Sequence, residues 1–393
     1  MASVPLAANP STRSKPLTLE GFAKSWGPGV VVILGAMAFF AMTSPSVMPY
    51  ARTHDFLGLY AGGVLARTDP SHLYDPEIQS KVEYQLAPDI PIFTPFPRPA
   101  FSALFYIPLT FLPLKTAFTV WVALGIAIVF AIWAWAARTY GPEILVYCAF
   151  CIPLMFGITN GQDTAFVAGL LILAYCALER GYKALGGVLL AVLLWKFNLF
   201  LLVPIVLLIR REWRILVGYV PTALAAVGIS AAMASPKSYI AFLTNSSLEA
   251  LHTSPQMMLN TNAIALNAGL DYAFVRILLI VSVLAAVFLI PKSANLERWL
   301  FAAVCGGMLV SPHTFEYDGA MLLAPILKIL ADKTAAPLVR GIAATAAIPL
   351  PYFMPSFGKP YSGGPALLIF ILFLAIAWPG WFEMRRRPQI ALA

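Results

Sequence analysis

The chain has 393 residues, of which 60% are hydrophobic and 11% are charged, with a formal net charge of +8 and a mean hydropathy of +0.79. This composition lies far outside the range of soluble globular proteins and excludes an ordinary soluble enzyme. The basic residues stand in short clusters at the ends of apolar runs, so they indicate membrane topology rather than a nucleic-acid-binding face. We therefore predict an all-α, polytopic transmembrane helix bundle.

The spacing of the apolar runs predicts about ten to twelve helices, since a helix needs about 20 apolar residues to cross a bilayer. Residues 1–27 are expected to form a cytoplasmic segment without a cleaved signal peptide, 28–382 the membrane domain, and 383–393 a cytoplasmic tail. The basic clusters that we expect in the cytoplasm are Arg13, Lys15 and Lys24, then Arg210, Arg211 and Arg214, and finally Arg385, Arg386 and Arg387.

The first span is predicted over residues 28–48. A polar stretch follows over 51–99, with turn signals at Thr68-Asp69-Pro70 and Tyr74-Asp75-Pro76. The patterns at 56–66 and 76–86 are compatible with helices. This stretch is therefore predicted to be a first external loop that carries two short interfacial helices.

Later apolar runs vary in length, and those at 100–113 and 145–158 are too short for a comfortable upright span. Short or broken helices in a membrane bundle usually lie beside a water-filled cavity. A polar stretch at 234–271 predicts a second external loop. The remaining apolar runs cover 116–137, 164–178, 184–209, 215–233, 273–290, 300–310, 320–330, 339–353 and 365–378.

Lys196 divides the run at 184–209 in its middle. One long helix with a buried lysine is possible, and so is a hairpin of two half-helices with Lys196 at its tip. The positive-inside pattern favours the hairpin, because Arg180, Lys183, Arg210 and Arg211 then share the cytoplasmic side.

Ionisable residues within or beside membrane helices are costly to place and are therefore functional candidates. The set mixes carboxylates and cations, as expected for a site that binds a phosphate-bearing substrate and deprotonates a hydroxyl. Its members are His54, Asp55, Arg98, Asp163, Lys196, His313, Glu316 and Asp318.

Each candidate also has an ordinary structural interpretation. Asp55 could be a helix N-cap instead of a base, and Gln162 could satisfy free backbone groups at a helix break. Arg98 could hold a lipid phosphate or anchor to headgroups. Lys196 is hard to explain structurally from the middle of an apolar run, so a cavity-facing ammonium that neutralises a phosphate is favoured.

An ordered set of short sequence pieces resembles glycosyltransferase family 87, membrane enzymes of the GT-C type that include polyprenol-phosphate-mannose-dependent mannosyltransferases. The pieces cover roughly residues 28–332. They are His54-Asp55-Phe56 with Tyr60, Leu73-Tyr74-Asp75, Phe96-Pro97-Arg98-Pro99-Ala100-Phe101 with Pro108-Leu109 and Leu112-Pro113, Trp121, Asn160-Gly161-Gln162, Lys196, Arg211 with Trp213-Arg214, and Ser311-Pro312-His313 with Tyr317-Asp318.

The resemblance implies a multi-pass enzyme of the cytoplasmic membrane that transfers a hexose, with mannose expected, from a polyprenyl-phosphate-sugar to a lipid or glycan acceptor with inversion. It implies Asp55 as the general base. The expected substrate-binding residues are His54, Tyr60, Arg98, Gln162, Lys196, His313, Tyr317 and Asp318. The chain departs from the family where Pro-Pro is usual, at Arg98-Pro99-Ala100, and where Lys-Pro-Gln is usual, at Lys196-Phe197-Asn198.

No phosphate-binding glycine loop or zinc-binding motif is present, and no paired acidic motif stands beside Asp55, so neither a cofactor nor a metal is expected. A transporter or flippase is the alternative, with Asp55, Lys196 and Asp318 as an ion or proton relay. A carrier keeps its polar site at mid-membrane. Here Asp55, Arg98 and His313 are predicted near one face, which favours the enzyme.

Overall fold

The computed structural model describes residue 29 and residues 54–90, 93–245, 254–269 and 272–378. The predictions for the segment 1–27, for the rest of the first span over 28–48 and for the tail 383–393 therefore lie outside the described residues. Within the described part, the secondary structure is helical, with 3-10 turns and no strand. The all-α membrane bundle is confirmed.

The first half of the described chain contains eight α-helices longer than one turn. They are α1 (His54–Thr68), α2 (Pro76–Leu86), α3 (Leu114–Tyr140), α4 (Leu145–Ala149), α5 (Ile152–Thr159), α6 (Thr164–Glu179), α7 (Lys183–Val192) and α8 (Leu202–Ile209). The second half contains α9 (Trp213–Met233), α10 (Pro236–Asn245), α11 (Thr261–Asn267), α12 (Tyr272–Phe288), α13 (Leu296–Val310), α14 (Leu323–Ala331), α15 (Pro337–Ala347) and α16 (Gly364–Ala377).

Two of the described helices, α3 and α9, are long and apolar enough to cross a membrane alone. A third crossing is formed if the bent pair Pro142–Ala149 and Ile152–Thr159, which meets at 50°, counts as one span. Helices α6, α12 and α16 are apolar but shorter. The run predicted at 100–113 contains only a single helical turn at Ala100–Ala103 and a 3-10 segment at Ile107–Phe111.

Helices α1 and α2 agree with the patterns predicted at 56–66 and 76–86. The start of α2 has a clear local cause. Pro76 occupies its first position, and the Asp75 side chain accepts hydrogen bonds from the backbone N–H groups of Glu77 (3.0 Å) and Ile78 (3.2 Å). An N-cap carboxylate followed by proline is a strong helix-start signal.

The run at 184–209 forms a hairpin. Helices α7 and α8 flank a 3-10 segment at Leu193–Leu199 in which Lys196 has non-helical dihedrals (φ −110°, ψ 59°). The two ends of the hairpin meet, because the Lys183 ammonium lies 3.1 Å from the Glu212 carboxylate. Of the two arrangements that the sequence left open, the structure has the hairpin with Lys196 at its break.

Two large apolar cores hold most of the described helices together, and a third, small cluster is formed by Met258, Ala263 and Ala366. The larger core lies within the bundle and includes Leu199. The smaller core joins α1, the 96–121 region and the hairpin break, and it includes Trp195. Trp195 thus belongs to the smaller core and Leu199 to the larger core. Lys196 lies between these two residues in the chain, at the boundary of the two cores, where the polar site is found.

Candidate functional site

A polar cavity of about 390 Å³ opens between α1, the segment 93–98, the break between α5 and α6, the hairpin break and the loop after α13. This volume falls in the range of small-molecule sites, roughly 300–1,000 Å³. The cavity is lined by Asp55, Leu59, Phe93, Thr94, Pro95, Pro97, Arg98, Asn160, Gln162, Lys196, Asn198, Ser254, Met257, Met258, His313, Phe315, Glu316, Tyr317 and Asp318.

Asp55 stands in the first turn of α1 and lines this cavity. Its side chain is partly exposed, while the next residues of α1, from Phe56 onward, are buried in the smaller core. Gly161 packs against Phe56, because an added Cβ would clash with the Phe56 Cβ. This packing fixes the start of α1 beside the break between α5 and α6.

Four charged groups form a buried cluster on the cavity floor. Arg98 binds Asp163 through two nitrogens, Nε to Oδ2 at 3.0 Å and Nη2 to Oδ1 at 3.1 Å. Lys196 Nζ lies 3.1 Å from Asp163 Oδ1 and 2.7 Å from Asp318 Oδ1. Two cations thus face two carboxylates, as expected for buried charges. We call these four residues the ionic cluster.

Neutral groups complete the coordination of the ionic cluster. The Tyr106 hydroxyl donates to Asp163 Oδ2 (3.2 Å) and accepts from Trp195 Nε1 (3.3 Å). Arg98 Nη2 also donates to Gln162 Oε1 at 3.1 Å. Lys196 Nζ lies 5.1 Å from the centre of the Tyr317 ring, a cation–π distance. Arg98 Nη1 makes no hydrogen bond to any residue that the structure describes.

His313 projects into the same cavity from the loop between α13 and the 3-10 helix Glu316–Leu322. Its ring is buried, and Nδ1 has no hydrogen-bond partner within the described residues. Asn198 Nδ2 donates to the His313 carbonyl (3.1 Å), and Asn262 Nδ2 donates to the Pro312 carbonyl (2.7 Å). These hydrogen bonds hold the loop in place, and the His313 Nδ1 atom itself is buried.

The structure brings together six of the eight predicted substrate-binding residues, and all six line the cavity together with Asp55. They are Arg98, Gln162, Lys196, His313, Tyr317 and Asp318. Tyr60 lies elsewhere: its hydroxyl donates to the Leu112 carbonyl at 2.8 Å, and its ring packs in the smaller core. Its placement favours packing over substrate contact. His54 begins α1, but its side chain lies outside the described residues.

The set of predicted substrate-binding residues omitted the centre of the ionic cluster. Asp163 was among the ionisable candidates. Its position directly after Gln162, at a predicted break between helices, was the signal that could have identified it as a site residue. Tyr106 gave no such signal, because a tyrosine in an apolar run is ordinarily a core residue. Asn198 and Asn262, which hold the His313 loop, were equally hidden.

This architecture, helices of membrane-spanning character around a charged cavity, is that of a membrane protein with an internal polar site. The model of glycosyltransferase family 87 matches residues 96–312, more than half of the chain. The chain therefore belongs to glycosyltransferase family 87 and is a membrane glycosyltransferase. The matched region includes Arg98, Gln162, Asp163 and Lys196, whereas Asp55, His313, Tyr317 and Asp318 lie outside it. No curated protein and no solved structure matches the chain.

Proposed function

We propose that this glycosyltransferase moves a hexose, with mannose the first candidate, from a polyprenyl-phosphate-sugar to a lipid or glycan acceptor on the outer face of the cytoplasmic membrane. The observation that supports it most is the shared cavity: Asp55, Arg98 and His313 come from three distant parts of the chain and line one space. A carboxylate, a guanidinium and an imidazole are the groups that a transfer between a hydroxyl and a phosphate ester needs.

In the proposed reaction, Asp55 accepts the proton of the acceptor hydroxyl while that oxygen attacks the anomeric carbon. The bond between this carbon and the phosphate oxygen breaks, and the polyprenyl phosphate leaves with its electron pair. Attack from the side opposite to the leaving group inverts the anomeric centre. Asp55 is partly exposed and Arg98 is buried, and both line the cavity, so one space can hold the acceptor hydroxyl beside the base and the phosphate beside the guanidinium.

Arg98 is a better candidate than Lys196 for the contact with the leaving phosphate. Lys196 is already bound to Asp163 and Asp318, so its charge is compensated. Arg98 retains Nη1 as a donor after binding Asp163 and Gln162, and a guanidinium can bind a carboxylate and a phosphate with different edges. His313 also lines the cavity and offers its imidazole ring to the same phosphate or to a sugar hydroxyl.

The donor requirement is tested with the purified protein in lipid nanodiscs and a membrane lipid fraction as acceptor. Radiolabelled polyprenyl-phosphate-mannose, polyprenyl-phosphate-glucose and a nucleotide-activated mannose are supplied separately, and the anomeric configuration of the product is read by NMR. We expect transfer only from a polyprenyl-phosphate sugar, with inversion. Transfer from the nucleotide sugar alone, or retention of configuration, would contradict the proposal.

A further inference from the structure

The segment Thr94–Arg98 is held from outside the cavity by two buried polar side chains of α2. Thr94 N donates to Glu83 Oε2 (3.0 Å), and Gln79 Nε2 donates to the Thr94 carbonyl (2.9 Å). Phe96 N donates to Gln79 Oε1 at 3.0 Å. Gln79 and Glu83 also bind each other, through Gln79 Nε2 and Glu83 Oε1 at 2.7 Å. The side chains of Gln79 and Glu83 thus supply hydrogen-bond partners to the backbone of Thr94 and Phe96.

The burial of the Gln79 and Glu83 side chains carries a high desolvation cost. Gln79 and Glu83 are only 1% and 3% exposed, although both stand on a short helix whose other face is solvated. Simple packing of α2 against the bundle would need apolar residues at these positions. A buried amide and carboxyl are usually retained where their hydrogen bonds fix one geometry.

The opposite face of the segment is fixed by α1, the helix that carries Asp55. A Cβ added at Gly58 would clash with the Thr94 carbonyl oxygen, and one at Gly62 would clash with the Phe96 ring. The Tyr74 hydroxyl donates to the Arg98 carbonyl at 2.8 Å and fixes the far end of the segment. Asp55 and Arg98 are therefore connected through one tightly packed unit of α1, α2 and residues 94–98.

We propose that Gln79 and Glu83, neither of which touches the cavity, are positioning residues that set the separation between Asp55 and Arg98. This inference rests on the proposed roles of those two cavity residues. A displacement of about 1 Å at a reacting group can lower a rate about a hundredfold. Loss of the contacts to Thr94 and Phe96 frees the chain between Pro95 and Arg98 to make such a displacement.

The test compares Gln79→Ala, Glu83→Ala and the exchanged pair Gln79→Glu with Glu83→Gln. In the exchanged pair, Gln at 83 can accept from Thr94 N and donate to Glu at 79, which can still accept from Phe96 N. Matched controls on the exposed side of α2 are Glu77→Gln and Gln85→Ala. Hydrogen–deuterium exchange of a peptide spanning 93–98 is measured without substrate, and kcat and KM for the donor are measured separately.

We expect faster exchange at 93–98 and a kcat lower by about tenfold to a hundredfold in Gln79→Ala and Glu83→Ala. The exchanged pair should recover part of both, and the controls should match the wild type. Unchanged exchange, or faster exchange with an unchanged kcat per folded protein, would overturn the proposal. A wild type that uses no polyprenyl-phosphate sugar, or an Asp55→Asn variant as active as the wild type, would instead overturn the proposed function.

Discussion

At the scale of single residues, the ionic cluster changes the meaning of Lys196. An isolated lysine within an apolar run suggested a free ammonium for a substrate phosphate. The structure places Asp163 at 3.1 Å and Asp318 at 2.7 Å from Nζ. All four charged residues could be identified from the sequence as costly to place in a membrane domain. Their pairing could not be predicted, because the four residues, Arg98, Asp163, Lys196 and Asp318, come from separate parts of the chain.

Asp163 is the residue on which this cluster depends, because it contacts both cations. Replacing Asp163 by alanine leaves Arg98 without its bidentate partner, and removing one member of a buried ion pair costs about 3–5 kcal/mol. We expect a large fall in the melting temperature of the purified Asp163→Ala protein in detergent. Asp89→Ala, at an exposed site on the same protein, is the control. Equal melting temperatures for the two variants would mean that the cluster contributes little to stability.

At the scale of elements, the first two helices could be predicted from local sequence signals. The contact of α2 with residues 94–96 could not. Turn residues and helix caps predicted α1 and α2 within a few residues. Nothing in the local pattern indicated that Gln79 and Glu83 of α2 would be buried against residues 94–96. On a helix with several charged residues, both looked like members of a solvated face.

Glu83 makes the stability of the folded protein depend on pH. Burial raises the pKa of Glu83 from its ordinary 4.5 to about 7, although hydrogen bonds from Thr94 and Gln79 oppose the shift. The folded protein therefore keeps the proton over a range in which the unfolded chain has lost it. Stability from this group is complete below pH 4.5 and is lost as the pH rises to about 7, a difference of about 3 kcal/mol.

The corresponding measurement is the melting temperature in detergent between pH 5 and pH 8. Other titrating groups contribute to the wild-type profile, so the informative quantity is the difference between the wild type and Glu83→Gln. We expect the wild type to lose stability relative to this variant as the pH rises, while Glu77→Gln follows the wild type. Parallel profiles for the wild type and Glu83→Gln would show that Glu83 titrates normally.

At the scale of the whole molecule, composition and hydropathy were sufficient for the class of protein and for most helix positions. They were insufficient where apolar sequence is not a straight helix. The run at 145–158 bends by 50°, and the run at 184–209 reverses direction. The reversal brings Lys183 and Glu212 together, and α7 then packs closely against α9, where an added Cβ at Gly187 would clash with the Ile215 carbonyl. Such contacts between separate helices cannot be read from hydropathy.

The hairpin predicts that residues 182 and 213 lie on the same side of the membrane. Tyr182 and Trp213 are 62% and 61% exposed, so cysteines at these positions should be reachable. In a background with the four native cysteines replaced by alanine, we expect both single variants to react with an impermeant maleimide from the cytoplasmic side only. Labelling of the two sites from opposite sides would mean that residues 183–212 cross the membrane.

The proposed transfer depends on Asp55 as its general base. Its most direct test is the initial rate of mannose transfer from polyprenyl-phosphate-mannose by Asp55→Asn. Asp75→Asn is the matched control, since asparagine also caps the α2 helix that Asp75 begins. A general base contributes about 10²–10⁴ to a rate, so we expect a loss of at least a hundredfold in Asp55→Asn and wild-type transfer in Asp75→Asn. Equal transfer by the two folded variants would contradict the account.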